Sequence, residues 1–254
     1  MDGLAVASQS TAPASEGKAG VATSTDGTKK YLVNENGLEY AQLIEKGLMG
    51  ACFYYQTTAV YMGADRMNVD NKTVVPGEGT KMEHHWDEAF GYLGVPTTFP
   101  LTTDGLAFWG VYINRRDPVL KNNQPFMNAM ITGRAAISKN DLETRDEAIT
   151  EARKWFELVI ATTAINYINT TLKSFDDLAI RFHSLSEGIA FIYSLQFNPD
   201  KKLTNAQVQE LFELLGGSKD PNVANFYQTS KTNLEKAKSI LAKTYGVEDK
   251  ADLF

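Results

Sequence analysis

The feature that most constrains the fold is the stretch KWFELVIATTAINYI, residues 154–168, which is apolar nearly all round in a helical projection. A helix without a polar face has to be buried on every side, because exposed apolar surface costs free energy. Asn140 or Asp141 can cap such a helix, and its pattern continues to about Leu172. The stretch therefore predicts a long, central, buried helix.

The apolar residues elsewhere also recur with a helical period, and the short alternating runs give no convincing set of strands. Capping residues and prolines mark where these segments begin and end. The further helices that we predict cover residues 37–62, 81–93, 104–114, 118–138, 174–197 and 204–215, with a last one from Pro221 to about Tyr245. The predicted class is all-α.

Composition narrows the domain organisation and the class of partner. Residues 1–30 are rich in Ala, Ser, Thr and Gly, which predicts a low-complexity leader or loop before an all-helical domain over residues 31–254. They lack the basic and apolar regions of a signal peptide, which leaves either a cytoplasmic protein or one whose export signal lies outside this chain. The 31 acidic and 25 basic residues form no basic stripe, which speaks against nucleic-acid binding. No run reaches the roughly 18 to 20 apolar residues of a transmembrane segment.

The only cysteine, Cys52, lies in the apolar run GLMGACFYYQ. A free cysteine in such a context usually packs as a small hydrophobic residue. We therefore expect Cys52 to be buried.

All three histidines lie in two similar segments, KMEHHWDEAFGYLGVP and RFHSLSEGIAFIYSLQF. His84 precedes Glu88 by four residues, and His183 precedes Glu187 by four, so each pair lies on one helix face. His85 is three residues before Glu88 and is compatible with the same face. A small, an apolar, a small and an aromatic residue follow each glutamate, which suggests a weak internal duplication.

Imidazole and carboxylate groups on facing helices form metal sites in helical bundles, and iron, zinc and manganese accept such mixed ligands. The pattern predicts a metal site from the residues His84, His85, Glu88, His183 and Glu187. The alternative is that each pair only hydrogen-bonds, on a wet face or in a buried network that Glu39 and Arg181 could join. Glu83 and Asp87 flank the first motif as solvated helix charges or as partners that orient an imidazole.

Three segments, KYLVNENGLEYAQLIEKGLMGACFYYQ, KMEHHWDEAFGYLGVP and HSLSEGIAFIYSLQFNP, resemble a bacterial envelope family known as domain-of-unknown-function family 4856. That family is similar in turn to the imelysin-like proteins, whose H-x-x-E motif corresponds to His85 and Glu88 here. The resemblance implies imelysin-like helical bundles, with two packed four-helix bundles if the duplication is real. It also implies an exported protein, often a lipoprotein, in the periplasm or at the cell surface, with links to iron uptake.

These observations leave three functional hypotheses. The leading one is a non-enzymatic, exported protein that binds a transition metal, iron or zinc, with an envelope or outer-membrane protein as a further partner; the resemblance favours iron. The second is a metallopeptidase-like enzyme in which Glu88 or Glu187 activates a metal-bound water, although the H-E-x-x-H motif is absent. The third is a structural or interaction bundle with a buried His/Glu network.

Overall fold

The computed structural model describes residues 2–254 and confirms the all-α class. The α-helices are α1 (Asp2–Ala7), α2 (Tyr40–Leu48), α3 (Ala64–Met67), α4 (Lys81–Gly91), α5 (Trp109–Leu120), α6 (Asn123–Lys139), α7 (Leu142–Lys173), α8 (Leu178–Ser194), α9 (Asn205–Gly216) and α10 (Lys231–Tyr245). The segments Met49–Tyr54 and Gln56–Tyr61 are π-helical, and Leu195–Phe197, Pro221–Val223 and Glu248–Leu253 are 3₁₀-helical.

Two short antiparallel hairpins accompany the helices, although the sequence predicted no strands. β1 (Gly20–Thr23) pairs with β2 (Lys30–Val33), and β3 (Val74–Val75) pairs with β4 (Gly79–Thr80). Strands of two to four residues are too short to show the alternation that identifies a strand in a sequence. Residues 2–30, which the sequence assigned to a leader or loop, contain α1 and β1.

The chain folds into two compact units. The first unit comprises the chain up to Leu48 together with Ala161–Gln196 and Lys202–Phe254, and the second unit comprises Met49–Ile160 and Phe197–Lys201. No helix among residues 2–254 has the length and apolar character needed to span a membrane.

In the first unit, α8 packs against α2, α9 and the β1–β2 hairpin, and α9 packs against α10. The sequence of α8 is apolar over most of its circumference, so it forms the centre of this unit. Phe182, Phe191 and Ile192 of α8 are fully buried, as are Leu234 and Leu241 of α10.

In the second unit, α4 packs against α6 and against the π-helical segment Gln56–Tyr61. Trp86 fixes the orientation of α4, because its ring is buried and its Nε1 donates to the carbonyl of Met130 at 3.0 Å. Gly133 makes room for this ring, since a Cβ there would lie 2.2 Å from the Trp86 ring atoms. This packing determines which face of α4 remains exposed to solvent.

The apolar stretch of residues 154–168 is confirmed as part of a long buried helix. It lies in α7, where the side chains without measurable exposure include Val159, Ile160, Ala161, Ala164 and Ile165. The absence of a polar face in the sequence was therefore sufficient to predict this element.

The helix predicted over residues 37–62 was only partly right, and the prediction that Cys52 is buried was wrong. α2 ends at Leu48, and Cys52 is exposed in the π-helical segment that follows. A π-helix bonds residues five apart instead of four, which widens each turn and rotates the following side chains relative to an α-helix. A projection with an α-helical period therefore assigns the wrong face to Cys52.

Two predicted helix starts at prolines were also wrong. Pro118 lies inside α5, which ends at Leu120, and α6 begins at Asn123, whose backbone N–H donates to Asp117 Oδ1 at 2.8 Å. Pro221 opens only a 3₁₀ turn, and α10 starts after Ser230. Proline is tolerated near the ends of helices as well as at their starts. Each proline therefore indicates that a helix boundary is near, but not whether a helix begins or ends there.

Candidate functional site

The first histidine motif lies on α4, which begins with a capping box. The Glu83 N–H donates to Thr80 Oγ1 at 3.2 Å, and the Thr80 N–H donates to Glu83 Oε2 at 2.8 Å. Arg134 of α6 donates to Glu83 at 2.6 Å and to Asp87 at 2.8 Å. The hydrogen bond from Ser138, together with those from Thr80 and Arg134, lowers the pKa of Glu83 to about 2. Glu83 and Asp87 therefore anchor α4 to α6.

Two imidazoles of the first motif face one carboxylate. His84 Nε2 lies 3.8 Å from Glu88 Oε1, and His85 Nδ1 lies 3.3 Å from Glu88 Oε2. The His84 and Glu88 side chains are 47% and 37% exposed, whereas that of His85 is 9% exposed. His85 Nε2 is buried and has no hydrogen-bond partner within the described residues. The group at the centre of this motif is thus a carboxylate that water can reach.

Tyr61 adds a phenol to this cluster, and sequence reasoning missed it. Its ring centroid lies 5.9 Å from that of His85 and 5.7 Å from that of Tyr92. Burial raises the pKa of Tyr61, and the negative charge of Glu88 raises it further. Tyr61 lies on a π-helical segment about 25 residues before the motif, and its position in QTTAVYMG carries no signal of this contact.

The second histidine motif lies on α8 and has the opposite arrangement. His183 Nδ1 lies 2.7 Å from Glu39 Oε2, and His183 Nε2 lies 3.6 Å from Glu187 Oε1. The Glu39 and Glu187 side chains are 8% and 7% exposed. The Glu39 N–H in turn donates to Ser186 Oγ at 2.9 Å. One imidazole therefore lies between two buried carboxylates.

Tyr31 of β2 covers this imidazole. The rings of Tyr31 and His183 stack with their centroids 4.2 Å apart and their planes 12° apart. Burial raises the pKa of Tyr31, and the nearby charges of Glu39, Glu187 and Asp177 add to the effect. The expectation that Glu39 joins a buried network is thus confirmed by its contact with His183.

The start of α8 is anchored by Asp177. Its carboxylate accepts hydrogen bonds from the N–H groups of Ile180, at 3.1 Å, and Thr25, at 2.8 Å. Burial acts to raise the pKa of Asp177, but these hydrogen bonds outweigh it and the pKa is lowered. Arg181, the other expected member of the network, instead lies over the ring of Phe175, with its guanidinium carbon 4.7 Å from the ring centroid.

One known protein family matches most of the chain. A family model described as Domain of unknown function (DUF4856) matches residues 3–248. The chain belongs to this family. No curated protein and no solved structure matches this family member.

The two motifs of this DUF4856 protein lie in different units. His84, His85 and Glu88 belong to the second unit, and His183 and Glu187 to the first. Among residues 2–254, no three or more His, Cys, Asp or Glu side chains are arranged to hold a metal ion as they stand. The five-residue shared site remains a prediction, and so does the internal duplication.

Within residues 2–254 neither motif has a metal-binding geometry as it stands, and the two motifs differ in how their donor atoms are placed. Donor atoms that share an ion lie about 3 Å apart, because each is roughly 2.0 to 2.2 Å from the ion. The nitrogens of His84 and His85 lie 3.8 Å and 3.3 Å from different oxygens of Glu88, and the two imidazole ring centroids are 6.2 Å apart. At His183 the two carboxylates face different ring nitrogens, so they do not converge on one point. The first motif therefore has two imidazoles beside one carboxylate, and the second has two carboxylates beside one imidazole.

Proposed function

We propose that this protein binds a transition-metal ion through His84, His85 and Glu88, and that it does so without catalysing a reaction. The observation that carries the proposal is the Glu88 carboxylate, which has an imidazole nitrogen opposite each of its two oxygens. Two imidazoles and one carboxylate are a ligand set that iron, zinc and manganese accept. A bound ion would join Glu88 to the two imidazoles, whose nitrogens lie 3.8 Å and 3.3 Å from its carboxylate oxygens.

Access to solvent supports the same assignment. His84 and Glu88 are partly exposed, so a dissolved ion reaches them without opening the protein. His84 also borders a pocket of about 250 Å³ beside the β3–β4 hairpin, where Asp70 and Glu78 contribute negative charge. Carboxylates near a site attract cations towards it, which favours capture of the ion.

The surrounding residues hold the ligands in place. Trp86 and the Glu83–Arg134 contact fix α4, and the Tyr61 ring lies beside that of His85 with the centroids 5.9 Å apart. Partners that orient ligands in this way raise metal affinity, because less conformational freedom is lost on binding. The proposal therefore rests on a pre-oriented set and not on one isolated pair.

We assign a structural role to the second motif. His183 is engaged at both ring nitrogens and covered by Tyr31, and its two carboxylate partners are nearly inaccessible. A buried network of this kind joins α8, β2 and the residue that precedes α2, and it favours one packing of the first unit. The third hypothesis from the sequence thus applies to this motif alone.

The proposed location is the periplasm or the cell surface, and iron uptake is the proposed process. Both rest on the resemblance to exported, imelysin-like proteins, and membership of the DUF4856 family is compatible with them. An envelope or outer-membrane protein is the proposed partner in that process.

The test is metal binding by the metal-stripped full chain, measured by equilibrium dialysis against Zn²⁺, Mn²⁺ or anaerobic Fe²⁺ with elemental analysis. We expect about one ion per chain, and Glu88→Gln is expected to weaken binding at least roughly tenfold because it removes a charged ligand. The matched control is Glu187→Gln, which changes the glutamate at the same spacing in the second motif and should leave affinity unchanged.

Two results would overturn the assignment. A wild-type chain that takes up none of the three ions excludes the metal-binding function. Equal losses in Glu88→Gln and Glu187→Gln would instead point to the shared site that the sequence suggested. Circular dichroism of both variants establishes that a loss of metal is not a loss of fold.

A further inference from the structure

We propose that the protein binds a phosphate group, as the free ion or as a small phosphate ester, in a basic cluster formed by Arg181, Tyr227 and Lys231. This site goes beyond the proposed function. It uses none of the proposed metal ligands, and all three of its residues belong to the first unit. The observation that carries the proposal is a pair of cations that share one aromatic ring and have no acidic partner.

The ring that the two cations share is that of Phe175. The guanidinium carbon of Arg181 lies 4.7 Å from the ring centroid, and Lys231 Nζ lies 5.1 Å from it. Two positive charges this close repel each other, and an anion in contact with both reverses that repulsion. Among residues 2–254 no carboxylate forms an ion pair with either cation. The described part of the chain therefore supplies no paired counter-ion here.

Arg181 is a buried cation whose donors are incompletely used. Its residue is 7% exposed, and its Nε is buried without a hydrogen-bond partner in the described residues. Its Nη1 donates to the Phe175 carbonyl at 3.4 Å, which is a long hydrogen bond. Burial lowers the pKa of Arg181, and the charge of the exposed Asp176 opposes this effect. A planar guanidinium with unused donors matches the oxygens of a phosphate group.

Tyr227 adds a second unused donor beside the same residues. Its ring packs edge-on against that of Phe182, with the centroids 4.6 Å apart, and the Arg181 guanidinium lies 5.4 Å from the same Phe182 centroid. The Tyr227 hydroxyl is buried and has no hydrogen-bond partner among residues 2–254. A buried hydroxyl without a partner costs free energy, and an oxyanion would accept its hydrogen bond.

The start of α10 favours an anion at the same place. Lys231 is the first residue of this helix, whose first turn contains no acidic residue. The first N–H groups of a helix have no acceptor within it and form the positive end of its dipole. Ser230 accepts a hydrogen bond from the Asn233 N–H at 3.2 Å. A lysine at this end is unfavourable by itself, so its position fits an anion that contacts both the ammonium group and the helix start.

The number of charges favours phosphate over a carboxylate. A phosphate group carries between one and two negative charges at neutral pH, which balances the two cations, and its oxygens can accept from several donors at once. A carboxylate carries one charge on two oxygens. The guanidinium, the ammonium group, the hydroxyl and the helix N–H groups are all donors, so a phosphate group uses more of them.

The test is isothermal titration calorimetry of the metal-free full chain at low ionic strength, with EDTA present so that phosphate cannot bind through a metal ion. The probes are inorganic phosphate, glycerol 3-phosphate and glycerol. We expect saturable binding of about one phosphate group per chain and none of glycerol, since hydrogen bonds to charged groups carry the affinity. The tighter of the two phosphate probes identifies whether the site takes the free ion or an ester.

Three variants test the three donors. Lys231→Gln changes an exposed side chain and should weaken phosphate binding roughly tenfold, because it removes a charged donor. Arg181→Lys keeps the charge but loses the planar fork and should weaken binding by about as much. Tyr227→Phe should weaken it about threefold and leave the urea midpoint without phosphate unchanged, since the hydroxyl has no partner to lose.

Lys236→Gln is the matched control, because Lys236 is an exposed lysine of the same helix and its substitution makes the same change in net charge. Its phosphate affinity should stay within about twofold of the wild type. Equal losses in Lys231→Gln and Lys236→Gln would reduce the effect to general attraction by surface charge and refute the site. A wild-type chain that binds neither phosphate probe refutes it as well, and neither result affects the metal proposal.

Discussion

The two His-x-x-x-Glu motifs share a spacing and differ in almost everything else. On α4 one carboxylate, Glu88, lies beside two imidazoles and is partly open to water. On α8 one imidazole, His183, lies between two carboxylates that are nearly inaccessible. The spacing allows a histidine and a glutamate to contact each other on one helix face. It does not determine whether the imidazole or the carboxylate lies at the centre of the resulting cluster.

The difference comes from the neighbouring elements. α8 lies at the centre of the first unit, and Glu39, the residue before α2, is a second carboxylate beside His183. α4 presents its motif to the segment Gln56–Tyr61, which supplies a phenol and leaves His84 in solvent. The sequence of one helix therefore does not reveal which residue of a neighbouring element contacts the motif and determines its chemistry.

The largest expected contrast is in stability. Glu39→Gln should lower the free energy of unfolding by about 2 kcal/mol, because it replaces a buried, charge-assisted hydrogen bond to His183. Glu88→Gln should change it by no more than about 0.5 kcal/mol, since Glu88 itself and its partner His84 are partly exposed. Urea denaturation at pH 7 measures both. Similar losses in the two variants would contradict the distinction between a structural and an open motif.

A smaller loss of stability is expected from changing Glu83, whose contact with Arg134 anchors α4 to α6. The pKa of Glu83 is lowered from 4.5 to about 2, so its ionised form stabilises the folded state above pH 4.5, and this contribution is lost as the pH falls towards 2. Glu83→Gln should therefore cost about 1 to 2 kcal/mol at pH 7, after allowance for solvent screening. The difference from the wild type should shrink between pH 4.5 and pH 2.

Unfolding curves at several pH values test this prediction. Asp87→Asn is the matched control, because Asp87 contacts the same Arg134 from an exposed position. Its effect should stay within about 0.5 kcal/mol. A Glu83→Gln deficit that is constant from pH 7 to pH 2 would show that the ionised carboxylate is not what anchors α4.

The sequence predicted features that depend on one helix and its own period. The buried stretch of residues 154–168 in α7 is confirmed, as is the start of α9 after Thr204, where a capping box with Gln207 forms. The family also followed from short segments, since the HHWDEAFGY motif is distinctive and the family model covers residues 3–248. These features need only local information.

The environment of the two motifs depends on contacts between distant residues. Glu39 and His183 are 144 residues apart in the chain, and Tyr31 and Tyr61 reach their histidines from a hairpin and a π-helical segment. Hydrophobic period is the main signal that a single sequence gives, and it says nothing about such pairings. The sequence thus proposed five candidate ligands of one site, whereas in the structure they belong to a partly exposed cluster and to a buried network.

The smallest expected effect concerns the aromatic cover of each histidine. Tyr31 stacks on His183 at 4.2 Å, whereas Tyr61 lies 5.9 Å from His85 and is tilted by 48°. Tyr31→Leu should lower stability by about 1 kcal/mol beyond the area that Leu still buries, and Tyr31→Phe should retain the stacking. In proton NMR spectra Tyr31→Leu should shift the His183 ring signals more than Tyr61→Leu shifts those of His85, because ring-current effects fall steeply with distance. Equal shifts would mean that the two histidines are covered alike, and the contrast between the motifs would then rest on their carboxylates alone.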